Sequence, residues 1–317
     1  MIQNCPPGKN YETILDNEEC RIDRVWGEEG SGTSVCYRIF PGVMVTYSDY
    51  HMKACDYGFS PDCDILCIDY CKEGRIEQEI ENGAFSFFEE GDLKVGRRIY
   101  HTGHAEFPLH CFQGMTILFQ MEEASRSIAD QIKGFPVDLY EIQRKYCNDK
   151  HPFVIPNEAG VMHIFSEMYQ LPERFKRYYL EVKILELLLY LDRMEVENKK
   201  EERPYFYKFQ VEKVKAIHRL LTENISRHYT LQELSAMFEL PLTAMKSCFK
   251  AVYGDSVFAY MRKYRMKRAA KLLLQDEELN VAQIAGLMGY DSPGKFSTAF
   301  KAVMGMAPLK YKKENRF

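Results

Sequence analysis

The spacing of apolar positions changes along the chain. Up to about residue 133, short apolar or alternating runs recur at 36–40, 43–47, 64–70 and 115–121, punctuated by Gly, Pro and Asp. A period of two, with breakers between the runs, predicts strands. Residues 77–87 read as a hairpin, because Asn82-Gly83 supplies the two positive-φ positions of a tight turn. Many short strands with close turns predict a small antiparallel barrel or sandwich. After Gly134 the spacing lengthens to three and four. Helices are predicted over 137–147, 159–170 and 173–197. The last has Pro172 at its start and a broad stripe of Phe175, Tyr178, Tyr179, Val182, Leu185, Leu188 and Leu189. That stripe fits a helix lying on the barrel as well as one meeting a second copy of the chain. Residues 195–204 are a charge run closed by proline, a solvated linker.

Beyond the linker the chain repeats itself. Phe249-Lys250-Ala251-Val252-Tyr253-Gly254 recurs 51 positions on as Phe300-Lys301-Ala302-Val303-Met304-Gly305, and Met245 matches Phe296 at the same offset. Leu231 and Leu234 match Val281 and Ile284 at an offset of 50, so one residue is inserted between the halves of the unit. Such a period marks two copies of one supersecondary unit. In the first, Thr230 caps a helix over 231–238 with Glu233 completing a capping box; Pro241 breaks it, and 242–252 forms a second helix. In the other, 281–288 is helical, Gly289 turns the chain, and Asp291 or Ser292 caps the next helix. Pro293 takes its first position, where a missing N–H costs nothing, and Gly305 ends it. Two short helices across a tight turn are the helix-turn-helix signature, here over 230–253 and 281–304. Leu234, Met245, Phe249, Ile284, Phe296 and Phe300 have the spacing of a packing seam and are expected in the core. A helix over 257–274 joins the units. It offers Phe258, Met261, Tyr264, Leu272 and Leu273 for packing, and a basic face of Arg262, Lys263, Arg265, Lys267, Arg268 and Lys271 suited to phosphate.

Charge sharpens this picture. The net charge of −4 divides into 19 basic against 10 acidic residues over 204–317, and 23 against 36 over 1–203. A C-terminal part near +9 on a body near −13 points to a polyanion partner for the C-terminal part alone. No apolar run nears the ~18 residues of a membrane span, and the first ten residues lack a basic-then-apolar signal. The expectation is a cytoplasmic protein without a membrane partner. Ten cysteines without a C-x-x-C pair are then expected as reduced thiols.

The C-terminal residues resemble the AraC/XylS family of transcription regulators. The resemblance runs over about 210–313. It is carried by Ile284-Ala285-x-x-Met288-Gly289-Tyr290-x-Ser292-x-x-x-Phe296-Ser297-x-x-Phe300-Lys301-x-x-x-Gly305-x-x-Pro308-x-x-Tyr311, and by Arg265-Met266-x-x-Ala269-x-x-Leu272-Leu273 in the joining helix. Tyr253-Gly254-x-Ser256-Val257-Phe258-x-Tyr260 resembles the subgroup that includes ferric-siderophore regulators. The resemblance implies that the second helix of each unit reads DNA bases, with Thr243, Lys246 and Ser247 in the groove and Lys250 nearer phosphate. For the other unit it implies Pro293, Gly294, Ser297 and Thr298 in the groove, with Lys295 and Lys301 near the backbone. Family members often have Arg or Gln where Ser247, Pro293 and Gly294 stand, so that helix is expected to read shape and methyl groups more than hydrogen-bond patterns. Two such helices on one unit meet successive major grooves about 34 Å apart.

The family's usual plan implies an α+β chain. It places a cupin-like antiparallel β-barrel that senses an effector over 1–135, a helical dimerisation or packing segment over 136–198, a linker over 199–208 and an all-α double helix-turn-helix domain over 209–317. The implied partners are double-stranded DNA, a small-molecule effector, a second copy of the chain and, for an activator, RNA polymerase. Tyr47, Phe85, Phe87, His101, His104 and Phe112 are the effector-pocket candidates; Tyr50 and Phe107 share their aromatic character. His101, His104 and His110 are spaced H-x-x-H where metal-binding cupins present H-x-H, which argues against a metal, a cofactor or enzymatic activity. The alternative is a metal-binding cupin enzyme or sensor fused to the DNA-binding domain. Cys63, Cys67 and Cys71 would share one face of a continuous strand, where core packing, a soft metal and redox sensing compete. A methyltransferase reading fails, since no Pro-Cys-His-Arg setting occurs.

Overall fold

The computed structural model describes residues 10–56, 63–80, 83–98, 104–147, 152–196, 205–275 and 278–315. The chain forms two compact units, Met1–Tyr205 and Phe206–Phe317. The first holds β1 (Tyr11–Asp16), β2 (Cys20–Gly27), β3 (Gly30–Phe40), β4 (Val43–His51), β5 (Ala54–Asp56), β6 (Ile65–Ile80), β7 (Ala84–Glu89), β8 (Leu93–Gly96), β9 (His104–Glu106), β10 (Phe112–Gln120) and β11 (Phe153–Ile155). Its helices are α1 (Met121–Gln131), α2 (Leu139–Tyr146), α3 (Ala159–Tyr169) and α4 (Lys176–Arg193).

The strands pair antiparallel in the order β1-β2-β3-β4-β10-β6, and β8 and β11 continue the sheet beyond the first half of β6. The second half of β6 turns away to pair with β7 and β9. The bend falls at Gly74, whose φ of 90° suits glycine and whose added Cβ would meet the Cys111 carbonyl oxygen at 2.2 Å. The β6–β7 pairing is the hairpin read from Asn82-Gly83; Gly83 has φ 67°, while Asn82 lies outside the described residues.

One face of the sheet is apolar throughout. Val43, Val45, Leu66, Ile68, Ile117 and Phe119 meet Ile128, Ile142, Phe165, Leu180 and Ile184 from the four helices. The strands end sooner than alternation suggests. Met121–Gln131 is a helix, because Met121, Ala124 and Ile128 recur at three and four and bury together against the sheet. α4 carries two apolar faces. Leu180, Ile184, Leu187, Leu188 and Leu191 form the buried seam, whereas Phe175, Tyr178, Tyr179, Val182 and Leu189 of the predicted stripe stand exposed.

The second unit is helical: α5 (Lys208–Glu223), α6 (Leu231–Met237), α7 (Leu242–Tyr253), α8 (Val257–Gln275), α9 (Val281–Leu287), α10 (Pro293–Met304) and α11 (Pro308–Glu314). α6 opens with the Thr230–Glu233 capping box and α9 with the matching Asn280–Gln283 box. α7 and α10 end on left-handed Gly254 and Gly305, at φ 85° and 78°. No helix among the described residues is long and apolar enough to cross a membrane.

Candidate nucleic-acid interface

The repeat sets the geometry of α7 and α10. Met245, Cys248, Phe249 and Val252 point α7 inward, and Phe296 and Phe300 do the same for α10. Leu234 and Ile284 complete the expected seam, fully buried. The opposite faces carry all ten residues singled out in the sequence. Thr243, Lys246, Ser247 and Lys250 are exposed on α7; Pro293, Gly294, Lys295, Thr298 and Lys301 are exposed on α10, with Ser297 half-buried among them. The Ser247 hydroxyl donates to the Thr243 carbonyl and that of Thr298 to the Gly294 carbonyl, each at 3.0 Å. Both hydroxyl protons therefore turn back on their own helix and leave the oxygens outward as acceptors.

Two glycines in the second copy differ in kind. Gly289 has φ 78° and would drive a Cβ to 2.3 Å from the Ser226 carbonyl oxygen, so the turn requires it. At Gly294 a Cβ would meet only the Ser292 hydroxyl, at 3.6 Å. Nothing within the fold demands a bare backbone there, and α10 presents a surface that another body can approach closely.

α8 divides its charges. Arg262, Lys263, Lys267, Arg268 and Lys271 are exposed, with Lys263 paired to Asp255 at 2.7 Å. Arg265 is not on this face. It is buried, its Nε donating to the Ile225 carbonyl at 2.8 Å and its Nη2 to that of Arg227 at 3.1 Å, so it tethers α8 to the segment before α6. Helical spacing turns position 265 inward, together with Met261, Met266 and Ala269. Phe258, expected to pack, is 54% exposed. Tyr253 and Tyr260, which carry the finer subgroup resemblance, pack against His218: Tyr253 stacks on it at 4.3 Å, and the Tyr260 hydroxyl lies 2.8 Å from its Nε2. Sequence reasoning missed α5, which brings His218 to that cluster, although Val211, Val214, Ile217 and Leu221 have helical spacing.

In the first unit the effector-pocket candidates do not come together. Tyr47 faces the helices, donating to the Met168 carbonyl at 2.9 Å with its ring against Tyr37 and Tyr169. Phe112 lies on the other face, in a cluster with Val25, Met52, Phe88 and Phe107, against which Tyr50 packs. Phe85 and Phe87 alternate with Phe88 along β7 and so point away from that cluster. His104 is exposed and pairs with Asp56 at 2.7 Å; His101 lies outside the described residues. No group of three metal-ligating side chains occurs among the described residues. Cys67 and Cys71 are fully buried in two separate apolar clusters, with Cys63 beside Cys67. Burial pushes the Cys71 thiol up, which suits core packing better than thiolate chemistry.

A buried charged group sits in this unit. Asp69 accepts from the Thr116 hydroxyl at 2.6 Å and from Arg98, and faces Lys94 at 3.4 Å. Burial opposes its ionisation, but the charges of Arg98 and Lys94 and the two hydrogen bonds outweigh it and hold the carboxyl well below the usual range. Burial moves Lys94 down from the ordinary lysine value.

Comparison with known proteins places similarity in the second unit. Residues 234–314 match the model of a helix-turn-helix domain family. A transcription regulator of Streptomyces lividans described as AraC-like is 32% identical over 88 residues, 28% of this chain and 29% of that protein. The HTH-type transcriptional activator RhaR of Mannheimia succiniciproducens is 28% identical over 102 residues, 32% of this chain and 37% of that protein. The chain thus spans about a third of the length of the curated relatives it matches. Among solved structures, the C-terminal domain of AraT, a response regulator from Geobacillus stearothermophilus, is 30% identical over 33% of this chain and 87% of that one, with a TM-score of 0.32. ToxT of Vibrio cholerae, solved with an unsaturated fatty acid, matches 85% of this chain and 94% of its own at 14% identity, with a TM-score of 0.31.

Proposed function

We propose that this chain is a sequence-specific DNA-binding transcription regulator of AraC type whose first unit senses a small-molecule effector, a reading supported by the helix-turn-helix match over residues 234–314 and the similarity to an AraC-like regulator. One observation carries the reading: two copies of one helix pair expose lysines and hydroxyls from faces opposite a phenylalanine seam, on a unit near +9. Lys246 and Lys295 suit guanine edges or phosphate, and Thr243, Ser247, Ser297 and Thr298 suit several bases. The bare start of α10 at Pro293-Gly294 favours reading of shape and methyl groups.

The experiment is fluorescence anisotropy of the whole chain on its own upstream DNA, against scrambled DNA, across a salt series. The upstream DNA is expected to win by about 10³-fold. Lys246→Ala is expected to reduce that preference by roughly 10-fold to 100-fold, the worth of one base contact. Equal binding of both DNAs with one steep salt slope would show only positive charge and would remove the sequence-specific reading.

The exposed face of α4 supports self-association. Tyr178, Val182 and Leu189 repeat at four and seven, the spacing of a helix that packs on its own copy. A double variant Tyr178→Glu, Val182→Glu is expected to sediment as a monomer where the parent is a dimer. A parent that is monomeric at all concentrations would defeat this part. In an activator, RNA polymerase would be a further partner.

A further inference from the structure

The helix-covered face of the first unit's sheet is apolar, but the face turned away from the helices carries a polar row. Cys36 stands opposite Thr46, Thr46 opposite Thr116, Thr116 opposite Asp69 and Asp69 opposite Lys94. Five strands thus contribute to one line. Two positions along, Ser34 stands opposite Ser48. Side chains directly opposite share a face at about 5 Å. Apolar clusters close the line on both sides, one around Phe107 and Phe112 and the other around Ile65, Cys67 and Leu118.

A polar face on an antiparallel sheet ordinarily means a solvated one. Here the Lys94 and Asp69 side chains are only 10% and 9% exposed, while Thr46, Ser48 and Thr116 remain half-buried, open enough to be reached. Burying an ammonium costs stability that an apolar side chain in its place would not. The Lys94 ammonium has three protons to donate. It has the Phe88 ring at 4.7 Å and Asp69 at 3.4 Å, longer than an ordinary charge-assisted hydrogen bond. Asp69, Lys94 and Arg98 together carry +1, which matches a monoanion better than a phosphate dianion.

We infer that this row binds a small hydroxylated carboxylate, its acid group on Lys94 beside Arg98 and its hydroxyls on Thr46, Ser48 and Thr116. The inference rests on reading the first unit as the effector-sensing one and names the effector's chemical class. Thr46 and Ser48 offer hydroxyls at strand spacing, and Thr116, whose proton goes to Asp69, offers an acceptor, which suits a chain or ring of hydroxyls. The flanking apolar clusters limit the length of ligand that fits.

The test is thermal unfolding and calorimetry of the whole chain with gluconate, glucuronate, glycerate and lactate, with glucose and acetate as partial mimics. At saturation at least one hydroxy acid is expected to raise Tm by about 5 °C, whereas glucose, lacking the acid, and acetate, lacking the hydroxyls, leave it unchanged. Lys94→Met is expected to weaken binding about 30-fold and Thr46→Val about 5-fold. Thr46→Val leaves the ion group intact and gives an answer even where Lys94→Met fails to fold. Stabilisation by none of the four acids, equal stabilisation by glucose, or unchanged binding by Thr46→Val overturns the site. Binding to upstream DNA, measured on the same preparation, separates the two readings. Intact DNA preference without hydroxy-acid binding removes this site alone; hydroxy-acid binding without DNA preference keeps the site and removes the regulator.

Discussion

Replacing Asp69 by asparagine is expected to cost the first unit about 3–5 kcal/mol, seen as a fall in the Tm of its unfolding transition on the order of 10 °C. The carboxylate is the common acceptor for Thr116 and Arg98 and the ionic partner of Lys94. Asparagine nearly keeps the shape but leaves a buried ammonium facing a neutral amide. The same substitution is expected to change the response to acid. The folded pKa of Asp69 lies below its unfolded value, so its stabilisation is complete above the ordinary carboxylate range, near pH 4. That stabilisation drains away as the pH falls toward the folded pKa. Scanning calorimetry between about pH 3 and 7 should therefore show the parent losing stability on the acid side and Asp69→Asn losing less. Matching Tm values for the two proteins at neutral pH would show that the ion group contributes nothing.

Arg265→Ala is expected to destabilise the second unit by about 3 kcal/mol, from two charge-assisted bonds to backbone carbonyls and the packing of the stem. Arg265→Lys should restore only part of this, since an ammonium cannot reproduce the planar fork. Arg268→Ala provides the contrast from the exposed face of the same helix. It should leave Tm unchanged and lower the slope of log K against log salt by about one. A normal Tm with a reduced salt slope for Arg265→Ala would return that residue to the phosphate-facing set.

The contrast between Arg265 and Arg268 shows where the sequence was legible. The second unit is built from local signals: Thr230 and Glu233 lie within one turn, Gly305 closes the helix it follows, and the offset of 51 links Phe249 to Phe300 without any fold being assumed. Helix starts and stops there fall within a residue or so of the expected positions. Composition could not say which of six basic residues on α8 turns inward, because burying one needs carbonyls supplied by residues some forty positions away. In the first unit the strands were visible but their neighbours were not. Thr46, Asp69, Lys94 and Thr116 each interrupt an apolar run, which is the one local sign of a polar row. That they form a row is decided by register between strands far apart in the chain, and register is non-local. The aromatic candidates scatter for the same reason: Tyr47 and Phe112 sit on adjacent strands yet on opposite faces.

α8 joins the two helix pairs without a break over 19 residues, about 28 Å of rod. A rod of that kind fixes phase as well as distance. Inserting one residue would turn everything beyond it by about 100° and advance it by about 1.5 Å, while seven would bring it back to within roughly 20° of the starting angle but ~10 Å further along. The joining helix is in that sense a gauge that sets both the separation and the angle of α7 and α10. Under the proposed function, neither α7 nor α10 would acquire a new target spacing by changing its own side chains, and a change of spacing would be made in the length of the rod between them.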